Sequence, residues 1–191
     1  RPLFADISFD ICEGDVILLC GANGSGKTTL LKALTEIRSE VEIAMIPTRI
    51  PKIKGFTLNE FINLSCYNKQ NADSDKALKK LALSHLADRD ISTLSDGEFQ
   101  KGTIAAAIAK GAEIILMDEP TAFLDTENRR NVLSTLRKLC EETGTAVIFS
   151  SHDLYEALET CNKVIALGAD RQCHISSENL KDTISAIFSK D

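Results

Sequence analysis

The chain has 191 residues, enough for one domain with a sizeable subdomain and a core that needs no disulfide support. Its formal net charge of −6, lack of tryptophan and lack of a Lys/Arg block argue against nucleic acid as a main partner. No apolar run reaches the roughly 18 residues a membrane span needs, and the opening RPLFADISFD has no secretory-leader pattern. The six cysteines, Cys12, Cys20, Cys66, Cys140, Cys161 and Cys173, show no metal-ligand spacing. The apolar settings of Cys20 and Cys140 predict buried thiols, and the irregular spacing suits a reducing compartment.

In chain order, residues 3–11 alternate apolar and polar and predict a half-buried strand. The apolar run Val16 to Cys20 predicts a central parallel strand, followed by a glycine loop and a helix to about Arg38. Val41 to Ile46 reads as a short strand, and 47–55, with two prolines and no helical period, as an exposed connection. Thr57 and Glu60 predict a capping box with a Phe56–Phe61 staple, opening a helix to about Cys66. A polar loop from Tyr67 to Asp75 and a helix from Lys76 to Leu83 follow. Ser95 and Glu98 then predict a second capping box, for a helix to about Lys110. Strands at 113–117, 146–149 and 163–167 alternate with helices at 126–142 and from Asp153, and the tail predicts a short helical end. Such alternation predicts an α/β fold with a mostly parallel sheet covered by helices on both faces. The core comprises about 1–47 and 111–191, with a helical subdomain inserted at about 50–110.

Several stretches carry chemistry. Gly21-Ala22-Asn23-Gly24-Ser25-Gly26-Lys27-Thr28-Thr29 fits the phosphate-binding pattern G-x-x-x-x-G-K-[ST] between strand and helix. Its glycines let backbone N–H groups face an anion, and the helix N-terminus adds positive potential. Lys27 would reach the β- and γ-phosphates, and the Thr28 hydroxyl would ligate Mg²⁺. Leu116-Met117-Asp118-Glu119-Pro120 delivers two carboxylates at the ligand-bearing edge of the sheet. Asp118 suits Mg²⁺, and Glu119 can orient or deprotonate the attacking water. Ser150-Ser151-His152-Asp153 puts His152 on the same edge. There it serves either as a γ-phosphate contact or simply as a helix-start residue beside an N-cap Asp153. Ser95 is equally an N-cap and, with Gly97, part of an anion-facing helix start. His85 and His174 read as surface residues.

These motifs, taken in order, resemble the nucleotide-binding domain of the ABC ATPases. LSDGE, residues 94–98, is similar to the family signature LSGGQ, with Asp96 for glycine and Glu98 for glutamine, and Ala122-Phe123-Leu124-Asp125 resembles the D-loop. The resemblance runs from about Leu3 to Leu167. It implies ATP hydrolysis with Mg²⁺ by two subunits paired head to tail. Gly21 to Thr29 would cradle one ATP, and Ser95 and Gly97 would contact the γ-phosphate held by the other subunit. Asp118 would serve Mg²⁺, Glu119 the water and His152 the γ-phosphate. Asp125 would couple the two sites, alongside its role as N-cap of the helix from 126.

PTRIPKIKGFTLNEFI and TAFLDTENRRNVLSTLRKL resemble importer ATPases of the iron-siderophore, haem and cobalamin type. That likeness implies a cytoplasmic subunit on the inner face of the membrane. It would bind integral membrane permease subunits through the region 48–66 and act with a solute-binding protein. An exporter ATPase and a nontransport ABC clamp in a soluble assembly remain the alternatives.

Two departures stand out. Thr48 occupies the place where the family carries a glutamine that touches Mg²⁺ and the membrane partner, and a threonine hydroxyl reaches less far. The family's adenine-stacking aromatic lies upstream of the first strand, where this chain starts at Arg1. Between Arg38 and Val41 there is also less chain than the family's strand hairpin, as expected of a trimmed version of a longer sequence.

Overall fold

In the computed structural model the described residues are 7–37, 40–67, 73–168 and 173–188. The fold is built on strand β1, Val16–Gly21, which is buried along its whole length. Its side chains alternate between faces. Val16, Leu18 and Cys20 enter one apolar cluster, and Ile17 and Leu19 enter another. Burial on both faces explains why the segment reads as a continuous apolar run.

The other strands are β2 (Ile43–Ile46), β3 (Ile114–Met117), β4 (Ala146–Ser150), β5 (Lys163–Leu167) and β6 (Cys173–Ser176), in the sheet order β2-β3-β4-β1-β5-β6. The first five are parallel to one another, so the C-terminal ends of β1, β3 and β4 share one edge. Strand β6 runs antiparallel to β5, where the sequence predicts only a helical tail. Half-buried except for exposed Ile175, and with His174 in its middle, β6 is a short edge strand that carries little apolar periodicity.

Helix α1 (Lys27–Thr35) packs Leu30 and Leu31 against one face of the sheet. It ends before Arg38, which lies outside the described residues. Helices α2 (Leu58–Ser65), α3 (Ser74–Lys80) and α4 (Asp96–Ala109) share the cluster of Val16, Leu18 and Cys20 with α5 (Thr126–Thr143) and α6 (Leu154–Thr160). That cluster runs without a break from the sheet into Leu58, Ile62, Leu78 and Ile104. The helices of 50–110 therefore close over the sheet rather than over a core of their own. Helix α7 (Leu180–Phe188) follows β6.

The expected strand at 3–11 is not formed over residues 7–11, and residues 3–6 lie outside the described set. Ile7, Phe9 and Ile11 still pack on the sheet, so the alternation marks burial without a ladder. Helix α3 starts at Ser74 because Asp73 accepts from the Lys76 amide, and it stops before Ala82, whose φ is +55°. The expected loop at 67–75 is thus shortened, and its residues 68–72 lie outside the described set. Cys20, Cys66, Cys140 and Cys161 are buried free thiols. Burial pushes Cys20 and Cys140 up to about 12 and Cys161 to about 11, so they act as core side chains.

Asp15 fastens the start of β1. Its Oδ2 accepts from Lys163 Nζ at 2.7 Å and from the Cys12 amide at 2.8 Å, and its Oδ1 accepts from Asn162 Nδ2 at 3.3 Å. Burial raises this carboxyl, but the bonds from Lys163, the Cys12 amide and Asn162 outweigh it, leaving the pKa below its ordinary 3.8. A depressed folded pKa contributes stability that is present above the unfolded pKa and lost as pH falls through the folded one. Asp15→Asn is expected to lower unfolding free energy at neutral pH by about 1–3 kcal/mol and to flatten the loss of stability below pH ~4, read by urea titrations across pH.

Candidate active site

The glycine loop leaves β1 at Gly21. A Cβ there would lie 2.6 Å from Ser25 Oγ and 2.8 Å from the Leu167 carbonyl, so only glycine lets the loop turn against the end of β5. Gly24 and Gly26 also have positive φ. Gly26 is the N-cap of α1 and supplies no side-chain cap, which leaves first-turn N–H groups free to face an anion. Lys27 is buried, and its Nζ donates to the carbonyls of Gly21 at 2.9 Å and Ala22 at 3.1 Å. The ammonium is thus held across the mouth of the loop. Ser25 Oγ is buried without a partner among the described residues, as expected of a group that meets a phosphate oxygen. Ala22, Asn23, Gly24, Thr28 and Thr29 are exposed around this cradle.

Asp118 lies just past β3, and its amide extends the β2–β3 ladder by donating to the Ile46 carbonyl at 3.0 Å. Its Oδ2 accepts from Thr28 Oγ1 at 2.8 Å and from Thr48 Oγ1 at 3.2 Å, and its Oδ1 accepts from Ser150 Oγ at 2.9 Å. Thr48 therefore joins the expected pair despite its short side chain. Oxygen donors with one carboxylate are the chemistry of a hard divalent cation, so Thr28, Asp118 and Thr48 fit Mg²⁺.

Glu119 adopts φ +51°, rare for a side-chain-bearing residue and costing on the order of 1–3 kcal/mol. Its amide donates to Ser150 Oγ at 2.8 Å, and its Oε1 lies 2.5 Å from His152 Nε2. The backbone twist thus aims the carboxylate at the imidazole, which is 51% exposed at the sheet edge. Asp153 stands at the N-cap of α6, as expected, but its carboxylate makes no cap bond and pairs instead with Arg129. Ser150, which ties Asp118 to Glu119, is the first residue of the Ser-Ser-His-Asp run. A hydroxyl ending a buried apolar strand is the signal that could have marked it.

Ser95, Gly97 and Asp125 form a second cluster. Ser95 Oγ accepts from the Glu98 amide at 3.2 Å and donates to Glu98 Oε2 at 2.9 Å, while Glu98 Oε2 accepts from the Ser95 amide at 2.8 Å. Those bonds, from the Ser95 amide first and its hydroxyl second, hold the Glu98 carboxyl below its usual range. Asp125 caps α5 through the Asn128 amide and Nδ2, at 2.8 and 2.9 Å, and its carboxyl is lowered by them. Asn128 Oδ1 lies 2.6 Å from where a Cβ on Gly97 would stand, so glycine lets the two helix starts touch. Ser95, Asp96, Phe123, Asp125 and Asn128 line a cleft of about 390 Å³. A cavity of about 550 Å³ at the opposite sheet edge, lined by Lys76, Lys80 and Glu113 among others, holds none of these motifs.

A glycine cradle on an uncapped helix, with an acidic strand end beside it, defines a P-loop nucleotide-binding protein. Residues 4–122 match the ABC transporter family, and the chain belongs to it. The molybdate import ATP-binding protein MolC of Haemophilus influenzae is 31% identical over 97% of this chain and 81% of its own. The iron(3+)-hydroxamate import ATP-binding protein FhuC of Bacillus subtilis is 29% identical, over 87% of this chain and 74% of its own. Among solved structures, a metal-chelate type ABC transporter in an inward-facing conformation gives a TM-score of 0.85 at 28% identity, covering 97% of this chain and 82% of that one. The chain is accordingly an ATP-binding, ATP-hydrolysing subunit of this family. Ser150→Ala is expected to free both carboxylate-bearing residues, retaining nucleotide binding while lowering kcat on the order of 10–100-fold, read by phosphate release beside an ATP-binding isotherm.

Proposed function

We propose that this chain powers an importer, as one of two ATPase subunits that sandwich ATP head to tail. The observation that carries the proposal is the separation of the two clusters. Ser95 and Asp125 line their own cleft, with Gly97 packed against Asn128 of its wall, rather than bonding the Thr28–Asp118–Glu119 group. A nucleotide on Lys27 would leave that cleft to serve a second nucleotide.

In this reading Lys27 exchanges its two carbonyl bonds for β- and γ-phosphate oxygens, and Ser25 Oγ gains a partner. Thr28, Asp118 and Thr48 would hold Mg²⁺, which supplies positive charge against the developing phosphate charge. Glu119 accepts a proton from the water that attacks the γ-phosphorus, as the bond from that phosphorus to the β-bridging oxygen breaks and ADP keeps the electron pair. His152 orients Glu119 through their 2.5 Å contact and donates towards the γ-phosphate. Ser95 must share its hydroxyl between Glu98 and the γ-phosphate of the ATP held by the other subunit.

Import is supported by relatives named as import ATP-binding proteins for iron-hydroxamate, zinc and molybdate. The cargo would be a metal or a metal complex, with the iron-siderophore, haem and cobalamin group as the narrower choice. Among the described residues no helix is long and apolar enough to cross a membrane, so a permease would supply the span. Ile53, Phe56, Leu64 and Tyr67 expose apolar surface around α2 and offer it a docking face. The subunit would then sit in the cytoplasm against the membrane, beside a permease served by a solute-binding protein.

Glu119→Gln is expected to bind ATP normally while kcat falls at least about 100-fold, and near-normal turnover would remove Glu119 from the role of base. In that background ATP should drive dimerisation, seen by light scattering. Adding Ser95→Arg should spare ATP binding and abolish association, and a Ser95→Arg protein that still dimerises with ATP would refute the shared site. Co-purification with a polytopic membrane permease tests the importer assignment.

A further inference from the structure

The acidic departure at position 96 meets a basic residue of 47–55 in space. Lys52 Nζ donates to the Leu94 carbonyl at 2.8 Å and pairs with Asp96 Oδ1 at 2.6 Å. The lysine is 23% exposed and the aspartate 63% exposed. Lys52 Nζ also stands 5.6 Å from the centre of the Phe99 ring, so its position is fixed by a carbonyl, a carboxylate and an aromatic face. Three residues earlier, the Arg49 guanidinium lies 4.1 Å over the Phe123 ring. The cleft between Asp96 and Phe123 thus has a cation at each wall.

Asp96 is the first residue of α4, between Ser95 and Gly97. The uncompensated end of a helix carries roughly half a positive charge. A bare carboxylate there would more than cancel it and would repel an approaching polyphosphate at short range. We propose that Lys52 is a positioning residue for ATP hydrolysis: it neutralises Asp96 and so keeps the start of α4 receptive to the γ-phosphate of a second subunit's ATP. This inference rests on the shared-site reading above. The same segment places Thr48 on Asp118. Four residues of chain, at most roughly 14 Å, therefore join the contact on Asp118 beside the P-loop to the contact on Asp96 at the second cleft.

The test compares Lys52→Met, Asp96→Gly and the double variant in steady-state ATPase assays across ATP concentration, with melting curves for each. Lys52→Met should raise the KM for ATP on the order of fivefold, with kcat within about twofold. Adding Asp96→Gly should return KM to within about twofold of wild type, because the carboxylate that Lys52 neutralises is gone while Glu98 stays bonded to Ser95 as before. If Lys52 serves only as an anchor for the Leu94 carbonyl, the defect persists in the double variant, and that result overturns the inference. A melting-temperature loss in Lys52→Met that Asp96→Gly leaves uncorrected, together with an unrescued KM, overturns it as well. Ser95→Arg in the Glu119→Gln background separates the two levels. If that protein still associates with ATP, the shared site falls and the Lys52 inference with it. If association is blocked but Asp96→Gly gives no rescue, the Lys52 inference alone is overturned.

Discussion

The Asp118 carboxylate is the fixed point of the site. It is 7% exposed, and among the described residues its side-chain partners are three hydroxyls: Thr28 from α1, Thr48 from the chain after β2, and Ser150 from the end of β4. A buried carboxylate is expensive unless its lone pairs are occupied, and here each donor arrives from a different segment. Satisfying one side chain thereby sets the relative heights of four chain segments at one sheet edge. Ser150 passes the constraint on, because its oxygen also accepts from the Glu119 amide at 2.8 Å. The strained φ of Glu119 persists because that bond and the parallel ladder on either side of Asp118 leave it little alternative. Hydroxyls satisfy Asp118 without neutralising it, so the site retains a negative charge that a hard cation can answer.

Helix starts are handled in two ways. Helices α2 and α4 have complete capping boxes, and α3 and α5 are capped by Asp73 and Asp125. Helix α1 has only Gly26. With glycine in place of a capping side chain the cost is only about a few tenths of a kcal/mol, which a bound phosphate can offset through the free N–H groups and the lysine behind them. At α4 the opposite choice has been made. The cap that stabilises the helix occupies the Ser95 hydroxyl, so an incoming phosphate must compete with Glu98 for it.

The sequence carried most of this geometry because its signals were local. Three glycines and a lysine at fixed spacing, a capping box, and an apolar strand ending in Asp118-Glu119 each imply a shape without knowledge of distant neighbours. What was illegible depended on contacts between distant segments. Strand β6 has no apolar period of its own and exists because β5 offers an open edge. The segment at 7–11 has the period of a strand but no partner among the described strands, so burial alone shows in its alternation. Asp153 has the composition and place of an N-cap, yet the Arg129 guanidinium on α5 takes its carboxylate. Gly97 reads from sequence as part of an anion-facing helix start, and its neighbourhood makes it a contact point for Asn128 as well.

The segment 47–55 joins these observations. From composition it is a proline-interrupted exposed loop, which gives no reason for a defined path. In the structure its polar side chains are spent one after another on fixed partners: Thr48 on Asp118, Arg49 on Phe123 and Lys52 on Leu94 and Asp96. Its carboxyl end leads into the Thr57 cap of α2, where Phe56 and Leu64 remain exposed. A surface partner pressing on that face would act on a strap already fastened to both clusters. The distance to be bridged is short and the contacts are charged or hydroxylic. A displacement at α2 therefore has to break or carry those bonds rather than dissipate in a slack loop.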